Sequence, residues 1–177
     1  MVKLYSALVY RWCARCGFQP ADIEDICQDV FRSVHRGIAN FRRTQPGDSF
    51  RAWLRTITMN RIRDKVGKRS IVGEGGSSAT GMIAEIPNPE DPGADDNELE
   101  LSILFRRLMG IIRDEFEDKS WQSFWRVVIE EEPVPMVAAD LGLTPNAIYL
   151  AKSRILRRLR IVLEELGENI PPWIKNK

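Results

Sequence analysis

Residues 70–97 break the chain in two. They carry Gly73-Glu-Gly-Gly-Ser-Ser and Pro87-Asn-Pro-Glu-Asp-Pro-Gly, with few large apolar side chains. Glycine, proline and serine at this density punctuate regular structure rather than extend it. On either side, apolar residues recur at three- and four-residue steps, the period of one helix face. No stretch alternates apolar and polar residues over a useful strand length, and no internal repeat is present. The expected fold is all-α: two small helical domains, residues 1–69 and 98–177, joined by an acidic Gly/Pro-rich linker over residues 70–97. A length of 177 residues suits two small domains or one ordinary one.

Three helices are expected in the first domain. Leu4, Leu8, Val9 and Trp12 form a stripe over residues 3–16, and Gly17 ends it. Pro20 and the acids after it open a second helix with Ile23, Ile26, Cys27, Val30, Phe31 and Val34 on its apolar side. Phe41 to Ser49 reads as a loop, and Asp48 or Ser49 caps a third helix carrying Phe50, Trp53, Leu54, Ile57, Ile62 and Val66. Helices resume at about Asn97, one with Leu99, Leu104, Leu108 and Ile112, the next with Trp121, Phe124, Trp125 and Val128.

The charges nearly cancel, with 26 basic and 25 acidic residues, but they are segregated. Residues 1–69 sum to +8 and residues 70–104 to −8, the latter without one lysine or arginine. Segregation of this size reports on partners more than on fold. No apolar run is long enough for a transmembrane helix, and the N-terminus has no secretory pattern, so a cytoplasmic location is expected. Three cysteines are too few for a disulfide scaffold. Cys13-x-x-Cys16 with Cys27 and His35 invites a zinc reading, but the pair lies within a helix and structural zinc wants four ligands on turns. Buried thiols are the preferred reading, with no metal and no cofactor. His35 is the only histidine, and no glycine loop follows a strand to cradle phosphate, so no catalytic residues are assigned and no enzyme is expected.

The most specific local pattern is Met136-Val-Ala-Ala-Asp-Leu-Gly-Leu-Thr-Pro-Asn-Ala-Ile-Tyr. Gly142 supplies the positive φ of a tight interhelical turn. Ala138 stands four residues before it and Ile148 six after, where a small residue and a core plug are needed. Thr144 caps the second helix and Pro145 suits its first turn. This is the spacing of a DNA-reading helix-turn-helix. Turned at about 100° per residue, the second helix gathers Ile148, Ala151, Ile155, Leu159 and Val162 on one side. Asn146, Tyr149, Ser153, Arg157 and Arg160 fall roughly opposite, with Lys152, Arg154 and Arg158 beside them, groups suited to base edges and phosphates. A solvated basic face is the alternative.

Taken together, residues 22–66 and 133–162 resemble the second and fourth regions of bacterial sigma factors. Asp22-Ile-Glu-Asp-Ile-Cys-Gln-Asp-Val-Phe and Phe50-Arg-Ala-Trp-Leu-Arg-Thr-Ile-Thr-Met-Asn carry the first likeness. Two such regions joined by a linker resemble the plan of the extracytoplasmic-function (ECF) sigma factors, and Leu8-Val-Tyr-Arg-Trp-Cys and Ala151-Lys-Ser-Arg look planctomycete-like. The resemblance implies that Asp22, Glu24, Asp25, Gln28 and Asp29 dock on core RNA polymerase. It implies that Arg42, Arg43, Asp48, Ser49, Arg51, Arg55, Asn60, Arg61 and Arg63, with Lys65, Lys68 and Arg69 nearby, open and hold the minus-ten element. It implies that Thr144, Pro145, Asn146, Tyr149, Lys152, Ser153, Arg154, Arg157 and Arg158 read the minus-thirty-five element of promoter DNA. Trp53 is ambiguous between core and stacking platform, and its place in the apolar stripe favours core.

The implied partners are core RNA polymerase, promoter DNA and an anti-sigma factor, with no membrane; the chain would be a monomer when free or a heterodimer with its regulator. The rival reading is a sigma-like interaction module that binds polymerase or an anti-sigma factor without reading promoters. It is favoured by a start at Met1-Val-Lys-Leu-Tyr that falls partway through the family's first helix. A stand-alone helix-turn-helix regulator would leave residues 22–66 unexplained.

Overall fold

The structure, a computed structural model, describes residues 1–42, 48–71 and 94–168, with the side chains of 68–71 and 94–95 excepted. Seven α-helices and no strand occur among the described residues. They are α1 (Val2–Arg15), α2 (Pro20–Gly37), α3 (Phe50–Ile71), α4 (Ala94–Arg113), α5 (Asp118–Val128), α6 (Val134–Leu141) and α7 (Pro145–Leu166). A single 3-10 turn, Ile38–Asn40, follows α2. The chain divides into two compact units, Met1–Phe105 and Arg106–Lys177.

This division corrects the expected boundary. Residues 98–105 belong with the first unit, not the second, and helix begins at Ala94 rather than about Asn97. The reason is electrostatic: Glu100 is buried among side chains of α1 and α3. The linker reading over 72–93 lies outside the described residues, as do Arg43 and residues 169–177.

In the first unit α1, α2 and α3 pack on one another. Their expected stripes form the core: Leu4, Leu8, Val9 and Trp12 from α1, Ile23, Ile26, Val30 and Val34 from α2, and Phe50, Leu54, Ile62 and Val66 from α3. Tyr5 joins them, its ring 4.8 Å from that of Phe50. Gly17, at φ 75°, turns the chain after α1, and Pro20 opens α2. Ser49 is the cap of α3, its Oγ accepting the Ala52 N–H at 3.1 Å. Trp53 is half-buried, stacked among Phe41 and Phe50 and lying so close to Gly37 that a Cβ there would stand 3.1 Å from the indole.

In the second unit α5 packs on both α6 and α7. Phe124, Trp121, Val128, Ile155, Leu156, Leu159 and Leu163 are buried. The register of α7 is slightly rotated from the expected one: Leu156 and Leu163 are buried, while Val162 is only half-buried. Gly142 ends α6 at φ 63°, and Leu143 N–H returns to Ala138 O at 2.9 Å. Nothing crowds a Cβ at Gly142, so the backbone angle alone selects glycine. Thr144 Oγ1 accepts the Ala147 N–H at 3.1 Å, and Pro145 starts α7. Ile148, wholly buried, meets Val137 and Ala138 across the turn.

Candidate nucleic-acid and polymerase surfaces

The acidic row lies along α2. Glu24, Asp25, Gln28 and Asp29 are exposed, and Asp22 is half-buried. Each side of the row is already partly neutralised. Lys65 of α3 reaches Asp22 at 3.3 Å and Asp25 at 3.2 Å. Desolvation works against the Lys65 ammonium, but its hydrogen bonds to Asp25 and Asp22 outweigh it and raise its pKa. Arg32 takes Asp29 at 2.9 Å and Gln28 at 3.3 Å. A basic partner would therefore exchange ion pairs rather than meet bare carboxylates, which favours specificity and encounter rate over raw affinity.

On α3 the expected cationic surface splits. Asn60 is exposed, Arg63 is half-exposed and leans on it at 3.3 Å, and Thr56 lies one turn before on the same face. Arg61 is held by Ser33 at 3.0 Å and Asp64 at 2.9 Å. Arg42 folds onto the carbonyls of Ala39 and Phe41. Asp48 is half-buried, and Ser49 is used as the cap. Trp53 flanks this face with one side open, so it is neither wholly core nor free to stack.

Arg51 and Arg55 are not on the outer face. Arg55 is 5 % exposed, bonded to Glu100 and set over the Trp12 ring at 5.4 Å. Arg51 reaches Glu100 at 3.1 Å, and Trp12 Nε1 donates to it at 2.6 Å. Burial is the largest influence on Arg55 and lowers its pKa, with Glu100 acting in the opposite direction. The signal for this was in the spacing. Glu100 stands four residues before Leu104 and eight before Leu108, inside an apolar stripe, and Arg51, Arg55, Thr58 and Ile62 share one face of α3. A carboxylate in phase with a core stripe needs a buried cation.

On α7 the expected residues stay together. Thr144, Pro145, Asn146, Tyr149, Ser153, Arg154 and Arg157 are exposed, and Lys152 and Arg160 are half-exposed. Tyr149 is 55 % exposed and Leu150 beside it 49 %, the latter unremarked in the sequence pattern. From Pro145 to Leu163 the helix carries no acidic residue. Arg158 is half-buried and paired through two hydrogen bonds with Glu115 at 2.6 and 2.9 Å. Behind this face Arg126 joins α5 to Glu132 and to Asp140 of α6, and these hydrogen bonds hold its pKa up. Trp125 Nε1 donates to Glu130, so bonds on both sides fix Glu131, whose φ is 57°.

Cys13 is buried, and burial pushes its thiol up to about 12, with Cys27 and Cys16 adding to the effect. Cys16 and Cys27 are half-buried, and burial raises both. Thiols held protonated in this way are weak nucleophiles. No described helix is long and apolar enough to cross a membrane.

Comparison with known proteins bears on the first unit. Residues 1–71 match the Sigma-70 region 2 family. Over 92 residues, 51 % of the chain, the sequence is 34 % identical to the ECF RNA polymerase sigma factor SigE of Mycolicibacterium smegmatis. That stretch spans 34 % of the relative, about a third of its length. No solved structure matches the chain. The matched residues contain α1, α2 and α3, so this part of the chain is similar to Sigma-70 region 2, and about half of the chain is similar to an ECF RNA polymerase sigma factor.

Proposed function

We propose that the chain is a transcription initiation factor without catalytic chemistry of its own. It binds core RNA polymerase through α2, chiefly Asp25, Asp29, Glu24 and Gln28. It holds the opened minus-ten element on α3 and the loop before it, and reads the minus-thirty-five element as duplex with α7. The observation that carries this reading is the family match over residues 1–71, which coincides with the folded helices that bear the acidic row and the Asn60–Arg63 face. The tight turn at Gly142 and the acid-free outer face of α7 support duplex reading, because base edges and phosphates ask for hydrogen-bonding and cationic groups on one helix side. An anti-sigma partner follows from the same reading.

One observation favours the rival, a polymerase-binding module that reads no promoter. Pairing with Glu100 turns Arg51 and Arg55 away from the outer face of α3 and thins the cationic surface there for single-stranded DNA. Gel filtration with core RNA polymerase tests both. The chain is expected to co-elute, and Asp25→Arg/Asp29→Arg to abolish co-elution. Co-elution of the charge-reversed variant would overturn the assignment of α2. Binding to polymerase without any promoter preference would favour the rival.

A further inference from the structure

Two carboxylates one turn apart on α4 hold four guanidinium groups of the first unit. Asp96 pairs with Arg15 and lies 3.7 Å from Arg11, both on α1. Glu100 pairs with Arg55 and Arg51 of α3. Side-chain exposure falls from 41 % at Arg15 to 6 % at Arg55 and 2 % at Glu100, so the segment lies across a seat that deepens toward Trp12. The charge sums agree: residues 1–69 carry +8 and residues 70–104 carry −8.

The hold is ionic as well as apolar. Between residues 96 and 105, Leu104 is buried, Leu101, Ile103 and Phe105 are half-buried, and Leu99 is 43 % exposed. A buried ion pair stabilises little in net terms, because desolvating both partners offsets most of their attraction. Here the burial is mutual. Glu100 contributes to the cover over Arg55, and if the segment lifts, both regain water. Arg55 Nε has no hydrogen-bond partner even with Glu100 seated, so the seat is not saturated by its occupant. Such a seat is open to exchange with an anion of higher charge density.

We propose that residues 96–104 are a built-in competitor: an acidic helical strap that occupies the Arg11–Arg15–Arg51–Arg55 seat and is displaced by the phosphate backbone of single-stranded DNA. Guanidinium forks suit phosphate oxygens. A single strand fits better than an acidic protein, because four guanidinium groups gathered within one turn of α4 match closely spaced phosphates, while Asn60 and Arg63 stand on the opposite side of α3. The proposal rests on the nucleic-acid reading of the first unit and adds its regulation. The strap keeps the seat closed until a strand competes for it, so the free protein binds nucleic acid weakly.

The test is binding of the full chain to a fluorescent oligo-dT by anisotropy across a salt series. Asp96→Asn/Glu100→Gln is expected to bind roughly tenfold tighter, with a log–log salt slope steeper by about 0.7 for each further phosphate neutralised. Asp96→Asn alone, which touches no buried side chain, should give a smaller increase of the same sign. It decides the matter if circular dichroism shows the double variant unfolded. Adding Arg51→Gln to the double variant should reverse part of the increase. Two outcomes would overturn the strap: unchanged affinity in a folded variant, or an equal increase from removing two acids elsewhere with Asp114→Asn/Glu117→Gln. Polymerase co-elution is a separate readout. Loss of co-elution with a retained strap effect would sink the functional reading alone, and the reverse would sink the strap alone.

Discussion

Arg55 on α3 and Arg157 on α7 look alike in the sequence, each an arginine on a long amphipathic helix. In the folded chain one is buried on Glu100 and the other is exposed. The difference is not in the helices that carry them. In the first unit, an acidic segment distant in sequence supplies a carboxylate in phase with its own apolar stripe, and the arginine turns inward to meet it. In the second unit α7 carries no acid of its own for about five turns, and Arg158 takes one, Glu115, from outside the helix. A basic stripe is open to nucleic acid without exchange only where the fold brings no competing acid to it.

The outward display on α7 depends on its inner face. Ile148 fixes the rotation of the helix by filling the space against Val137 and Ala138. Ile148→Ala is expected to destabilise the second unit by about 2–5 kcal/mol in urea unfolding, since the turn cannot collapse around the cavity. A loss well under 1 kcal/mol would mean that the plug does not set the helix. Next in size, Arg154→Ala/Arg157→Ala should weaken duplex DNA binding by roughly tenfold and flatten the salt slope by about 0.9 for each phosphate no longer neutralised. Circular dichroism should not change, because among the described residues neither arginine has an ion-pair partner. Unchanged DNA binding would remove the contrast with Arg55.

The smallest expected effect concerns Arg158. Its hydrogen bonds hold the Glu115 carboxyl below its usual 4.5, so the pair stabilises the fold above that pH and the stabilisation is lost as pH falls through the lowered value. Arg158→Gln should therefore be less stable than the parent at pH 7, by no more than about 1 kcal/mol for so exposed a pair. The gap should close in acid. A gap that persists at low pH would point to packing by the Arg158 stem instead.

Much of this was legible in the sequence. The apolar stripes of α1 and α2, the Ser49 cap, and the Ala138–Gly142–Ile148 arrangement rest on short-range rules, where period, cap and φ are decided within a few residues. The boundary at Phe105 and the inward pairing of Arg51 and Arg55 were missed because they depend on pairing over 45 residues and more, which no local period reports. The one available sign was Glu100 itself, a charge where the stripe of α4 called for an apolar residue. The half-open Trp53 was missed for a similar reason: its neighbours, Gly37 and Phe41, come from the end of another helix and the turn after it.

The claim that this chain initiates transcription is tested most directly with core RNA polymerase, the full chain and a random-sequence DNA library, mapping the 5′ ends of the RNA made. The account predicts transcripts absent with core polymerase alone, sharing two upstream elements at a fixed separation, with the upstream element lost in Arg154→Ala/Arg157→Ala. Transcripts no more abundant than with core polymerase alone, or starts without a common upstream sequence, would contradict it.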